Sequence, residues 1–393
     1  MMPRTLTVLL CLAVGLTLAG SSQLATAADS TPHYLITNDD AAGTQVVNTA
    51  TFYTIGVGGS LTQQAVVQTA GSGIASGFFG STKVALLHSS KQDCAFLSNA
   101  GTGTVASIAI STESLTGIAS GSTGDAGTSN GISLATNGKY VFAGYSDSGT
   151  IGAFQVGANC RLRFLGDVTA AGLQGGVPDG MAIHGDMMIV TYEDGSMESF
   201  NIAAGVPVSN GDEQNSTDFT NSGHIPSQVE ITQDGHFAIF GDVATSTVVE
   251  VSDISSGVIT PTVVYNLGTG ISSSNVLLSP DETMLYIVNT QGDKVTAAFF
   301  DKTAGTLTKG CSSRALKGYV KYWSYLGAAA TATNTGTGSV LYVAEFGAPS
   351  TIAVIQVTSS GGTCSLTETA KSPVHDANSP GLLSIAAYPP RTF

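Results

Sequence analysis

A unit of about fifty residues recurs seven times along this chain, each copy a set of short β-rich runs cut apart by Gly, Asn, Asp and Ser. The clearest copy, VLLSPDETMLYIVNTQGDKVTAAFFDKTAGTLTKG, runs from Val276 to Gly310. It reads as an inner strand, a tight turn at Pro280-Asp281, a hydrophobic strand Leu285–Asn289, a polar turn, a strand Val295–Phe300, a turn at Ala304-Gly305 and an outer strand. One such meander cannot bury both of its faces, so copies must stack on one another around an axis, as the blades of a β-propeller do. The period therefore constrains the fold nearly outright and says little about chemistry.

Alignment on the second strand gives seven cores: Tyr34–Asn38, Ala95–Asn99, Tyr140–Tyr145, Met188–Tyr192, Phe237–Asp242, Leu285–Asn289 and Leu341–Glu345. Each is β-branched or aromatic and ends on a polar or turn residue. Glycines at Gly58-Gly59, Gly257, Gly305 and Gly361-Gly362 mark the turns that follow the third strands, where positive φ is needed. Inner strands share a second rhyme: PDGMAI from Pro178, PSQVEI from Pro226, SSNVLL from Ser273 and PGLLSI from Pro380. The last has no second strand after it, and Tyr34–Asn38 has no inner strand before it. Joining the two ends completes one blade and leaves no free sheet edge at the seam. The expected fold is all-β: a seven-bladed β-propeller of four-stranded antiparallel blades, closed by pairing of the N-terminal and C-terminal strands.

These repeats resemble the YVTN-repeat, lactonase-like seven-bladed propellers. The matching residues are Ser279-Pro280-Asp281 with Leu285–Asn289, Thr232–Gly235 with Phe237–Asp242, and Thr136–Gly138 with Tyr140–Gly144. The resemblance runs over the chain beyond its leader and implies the fold. Its repeat residues are turn and core residues that any member needs, so it carries activity poorly.

The leader itself, residues 1–27, has Arg4 ahead of an apolar run Leu6–Ala19 and small residues Ala25-Thr26-Ala27. That is the layout of a secretory signal peptide, too short in its apolar part to span a bilayer. Residues 28–393 are then read as a single propeller domain, secreted to a periplasmic or extracellular space, monomeric and without a membrane span. The formal net charge is −14, and loss of Arg4 with the leader makes it more negative. Such a surface repels phosphate backbones, so nucleic acid is excluded as a partner. Cys94, Cys160, Cys311 and Cys364 lack C-x-x-C spacing and, in an exported chain, are expected as disulfides. Three pairings exist; the blade map favours Cys94 with Cys160 and Cys311 with Cys364.

In a propeller the connections from one blade's outer strand to the next blade's inner strand share an end with the second-to-third-strand turns. Here they are long: 71–80, 123–131, 170–180, 213–228, 268–275, 315–327 and 372–381. Long loops on one rim point to that rim as the functional one. Candidate binding residues there are Asp39, Asp179, Tyr192, Asp242, Asn289 and the aromatic group Tyr322, Trp323 and Tyr325, whose flat rings suit a sugar or a protein pocket. Candidate catalytic groups are His224 or His375 as base, with Glu193 or Glu345 as orienting carboxylate. Neither Asn38-Asp39-Asp40 nor Tyr192-Glu193-Asp194 has the oxygen density of a calcium loop, so no metal is expected. No phosphate-binding or dinucleotide fingerprint appears, and no cofactor is expected.

Two functions follow as expectations. One is a binding or scaffold module at the cell envelope, taking a small carbohydrate or organic-acid ligand or a protein partner on the loop-rich face. The alternative, implied by the resemblance, is a lactonase-like hydrolase related to 6-phosphogluconolactonases that opens a sugar or organic-acid lactone at the channel mouth. Against a phosphorylated substrate, Arg161 and Arg163 fall on an outer strand away from the mouth, and no HxH or DLG-x-D motif is present.

Overall fold

Side chains that alternate between two neighbours need sheets on both sides, and the chain supplies seven of them. The computed structural model describes residues 33–390 apart from 44–45, 76–81, 122–130, 216–225, 243–247, 268–274, 290–291, 319–324, 333–338, 348–349 and 383. Seven antiparallel sheets form, each with a main path of four strands. Blades 2 to 7 are built in chain order around second strands Asp93–Asn99, Tyr140–Tyr145, Met187–Tyr192, Phe237–Asp242, Met284–Val288 and Ser339–Phe346. Blade 1 takes its second, third and outer strands, Tyr34–Asn38, Thr49–Ile55 and Leu61–Gln68, from the N-terminal side and its inner strand, Ser384–Tyr388, from the C-terminal side.

That closure has the expected register: Tyr34 opposite Tyr388, Ile36 opposite Ala386 and Asn38 opposite Ser384. The PGLLSI rhyme begins four residues before the paired segment, because Pro380 and Gly381 belong to the crossover that delivers it. SSNVLL likewise pairs only from Asn275. Two of the long connections contain strands that sequence reasoning did not separate. Gln214–Asn215 pairs with the third strand of blade 4, Ser196–Ala203, and Val374–His375 pairs with the third strand of blade 7, Thr351–Ser360.

Among the described residues the core is divided into clusters that lie between blades. Phe96 and Val105 of blade 2 pack with Leu134, Val141 and Phe154 of blade 3. Tyr342 and Ile352 of blade 7 pack with Leu35 and Tyr53 of blade 1. Each fully buried Leu, Ile or Phe contributes about 1.5–3 kcal/mol, so each blade depends on the next for its stability.

Both favoured disulfides are formed, with Cα–Cα separations of 5.7 Å. Cys94 lies in the second strand of blade 2 and reaches Cys160 in the turn before the outer strand of blade 3. Cys311 and Cys364 join the outer strands Thr306–Ser312 and Thr363–Glu368. Outer strands of adjacent blades tend to splay, and Gly310 is what lets these two meet. A Cβ there would fall 3.0 Å from the Cys364 Sγ and 2.8 Å from the Ala297 carbonyl oxygen.

Candidate functional site

Strand direction places every acidic candidate at one end of the ring. Asp39, Glu193, Asp242 and Glu345 stand at or just past the ends of second strands, as does the amide Asn289, and Asp179 near the start of an inner strand. These positions share the end where the outer-to-inner crossovers arrive.

Glu193 differs from Asp39 and Glu345 in being only partly buried. It begins the turn after Met187–Tyr192, where its amide donates to the Val177 carbonyl at 3.0 Å, which holds it against the entry to the inner strand Pro178–His184. Its side chain is half-buried. Burial first, then the charges of Asp179 and Asp147, push its pKa up to about 7. Asp194 beside it behaves oppositely. Burial opposes its charge, but the hydroxyl and amide of Ser196 and the amides of Gln174 and Gly176 donate to its carboxylate and hold it below the usual range. Neighbouring carboxyls with opposed environments are the arrangement that separates a proton acceptor from a fixed anion. Tyr192 donates to Glu198 Oε2 at 2.8 Å.

Glu345 is buried, and burial pushes its pKa to about 7 as well. Its Oε2 is met by the Thr351 hydroxyl, while Oε1 has no partner. His375 does not serve it. Thr351 lies between them in the sheet, opposite Glu345 on one side and His375 on the other, which sets their backbones two strand spacings apart, about 9.5 Å. Nor does His375, on blade 7, share a blade with Glu193, on blade 4. Asn289 spans its own turn, donating to the Lys294 carbonyl at 3.0 Å. Asp242 is fully buried at the end of its strand. Tyr325 opens the inner strand of blade 7. His224, Tyr322 and Trp323 lie outside the described residues, as do Phe78 and Phe79.

The most elaborate polar structure is at blades 1 and 2, and sequence reading named only part of it. Asn38 donates to the Ser98 carbonyl at 2.8 Å and accepts from Asn48 at 2.9 Å, and Asn48 donates to Asn99 Oδ1 at 3.0 Å. Lys83 is buried at 2 % exposure and pairs with Asp40 Oδ2 at 3.0 Å. Asp39 faces the other way, toward blade 7, and accepts from Thr37, Thr49 and Thr51. The Asn that closes these second strands thus ties one blade to the next, or its own turn together.

A model of the seven-bladed β-propeller lactonases matches residues 88–375, well over half of the sequence. The chain belongs to that lactonase family. Solved structures agree on the fold: a Bacteroides fragilis protein provisionally titled a 6-phosphogluconolactonase is 16% identical, with TM-score 0.63 over 91% of this chain and 98% of its own. A Bacteroides uniformis protein with the same provisional title is 13% identical, with TM-score 0.66 over 91% and 99%. The Pseudomonas aeruginosa periplasmic gluconolactonase is 16% identical, with TM-score 0.55 over 72% and 83%. No curated protein matches.

Within this family framework the acidic end is uneven. No Lys or Arg stands in any connection at that end of blades 3, 4 or 5, whereas Lys294, Arg314, Lys317 and Lys371 are exposed around blades 6 and 7. Among the described residues no group of three or more His, Cys, Asp or Glu is placed to hold a metal ion. Lys83, Asn48, Tyr53 and Asp376 were missed as site residues because nothing local marks them. Asn48 meets Asn38 and Asn99, 10 and 51 positions away, Lys83 meets Asp40, 43 positions away, and Tyr53 and Asp376 come from opposite ends of the chain, and no period in the sequence links them.

Proposed function

We propose that this lactonase-family propeller hydrolyses the lactone of an unphosphorylated sugar or small organic acid outside the cytoplasm, with Glu193 as general base. Glu193 takes a proton from water as that water adds to the ring carbonyl carbon. The tetrahedral intermediate then breaks its ring C–O bond, and Glu193 returns the proton to the departing ring oxygen. The free hydroxy acid ionises to solvent. The observation that carries the reading is the half-buried Glu193 carboxyl, with its pKa pushed to about 7 beside Asp179 and Asp147. A carboxyl poised near neutrality both accepts and returns a proton.

Charge selects the substrate. A neutral lactone enters this corner without penalty, whereas a phosphate would meet three carboxylates and no cation from the connections of blades 3 to 5 at this end. The hydroxy-acid anion produced is repelled by the same groups, which favours release. The two interblade disulfides and the leader support an oxidising, extracytoplasmic location.

Proton release from purified protein on glucono-, galactono- and 6-phosphogluconolactones tests the proposal. Turnover of the neutral lactones should exceed that of the phosphate ester, and Glu193→Gln should lower kcat about 100-fold or more. Rates equal to buffer hydrolysis for all three would end the hydrolase reading. The second reading, capture of a carbohydrate or protein at this end, is favoured by the amide network of Asn38, Asn48 and Asn99, which fixes a rigid polar surface there. Saturable glycan binding unaffected by Glu193→Gln, without turnover, would select it.

A further inference from the structure

Two carboxylates are enclosed together where the ring closes. Asp39 follows the second strand of blade 1 and is fully buried, and Asp376, at 1% exposure, lies in the crossover that carries the chain from blade 7 to the closing strand. Thr49, Thr51 and Tyr53 stand at alternate positions of the third strand of blade 1 and so share one face. Thr49 and Thr51 donate to Asp39 Oδ2 at 2.5 and 2.8 Å. Asp376 Oδ1 accepts the Asn378 amide at 3.1 Å, and the buried Tyr53 hydroxyl lies beside Asp376, outside strict hydrogen-bonding geometry but close enough to oppose in part the effect of burial on it.

The crossover is fastened at this place. Ser379 Oγ donates to the Asp39 carbonyl at 2.9 Å, Asn378 donates to Thr51 Oγ1 at 3.3 Å, and the Asp376 amide donates to the Ser350 carbonyl at 3.1 Å. The Leu382 amide, just before the closing strand, donates to Ser350 Oγ at 3.3 Å. No cation among the described residues neutralises the two acids. Lys83 is bound to Asp40 on the blade 2 side, Glu345 of blade 7 adds a further buried acid held by Thr351, and His375 is exposed. Two enclosed carboxylates with no counter-charge cannot both ionise without large cost.

We propose that only one of Asp39 and Asp376 ionises while the seam between blades 7 and 1 is closed, and that the proton retained by the other is a pH-operated latch on the closure of the ring. Burial, reinforced by the charge of Asp376, holds Asp39 up to about 7, and burial raises Asp376 too. In the unfolded chain both ionise near pH 4. The fold therefore keeps a proton that the unfolded chain has lost, so the latch contributes fully below about pH 4 and is lost progressively as pH rises to about 7. Above that, charge repulsion loosens the segment from Asp376 to Leu382 and frees Ser384–Tyr388 from Tyr34–Asn38.

Hydrogen exchange followed by mass spectrometry, corrected for intrinsic rates, reads this directly. Peptides covering 34–40 and 376–388 should lose about tenfold protection between about pH 6 and about pH 9, relative to the second strand of blade 4. Asp39→Asn and Asp376→Asn should flatten that response. Should either variant fail to fold, carbon-13 titration of aspartate carboxyls in the unaltered protein should show one buried carboxyl still protonated near neutrality. Uniform exchange across the ring at both pH values, variants that keep the full response, or restoration of alkaline protection by added calcium would overturn the latch.

Discussion

At the residue scale, position along a second strand decides what a polar side chain does. The Asn or acid that ends each strand faces either its own turn, as Asn289 does, or the next blade, as Asn38 does. Glu193, one residue past its strand, is left half-exposed with a titratable carboxyl, so kcat/KM for lactone opening should rise with pH through about 7 and then level, because the ionised form is the base. A pH–rate profile flat across that region would remove Glu193 from the reaction. Gly180 is a second sensitive position. A Cβ there would lie 1.9 Å from the Ser227 carbonyl oxygen, so Gly180→Ala must push apart the inner strands of blades 4 and 5. The expected cost is about 1–3 kcal/mol, read as a lower Tm, with lost activity because Asp179 moves with the strand. Lys83→Met strands the buried Asp40 carboxylate and should cost about 3–5 kcal/mol, while Lys83→Met with Asp40→Asn should recover part of that in denaturant titrations.

At the element scale, strands pair within their own sheet but bury their apolar side chains against the neighbouring blade. Cystine bridges act on the same joints: Cys94–Cys160 ties blade 2 to blade 3 across 66 residues, and Cys311–Cys364 ties blade 6 to blade 7 across 53. Reduction should lower stability by about 2–4 kcal/mol per bridge, seen as a Tm shift with reductant that Cys311→Ser/Cys364→Ser reproduces in part. An unchanged Tm would mean that the hydrophobic packing of those seams suffices alone. The second strands were legible because their hydrophobic runs recur at one period. Short additions such as Gln214–Asn215 and Val374–His375 were not, since two-residue pairings leave no periodic trace.

At the scale of the whole molecule, the ring is only as closed as blade 1. Its inner strand is additionally pinned outside the sheet, where the Tyr388 hydroxyl lies 2.8 Å from His88 Nδ1 on blade 2. Removal of the residues after Gly381 should expose the second strand of blade 1 as an edge and strip part of the cover from Leu35 and Ile36. Size-exclusion chromatography should then show association or aggregation where the full chain elutes as one species. A truncated chain that melts like the parent would show that the closure adds nothing.

The seven-blade count, the strand order and the joining of the two chain ends were determined by the sequence alone, because each follows from a repeated pattern of apolar runs and turn residues. Only the tertiary structure decided which polar groups meet. Asp39 with Asp376, Lys83 with Asp40, and Glu193 with Asp179 and Asp147 are brought together by closure and blade packing. The proton affinities of Asp39, Asp376 and Glu193 depend on burial and, for Asp39 and Glu193, on charges contributed by other blades, and those are properties of the assembled ring that no local run of residues contains.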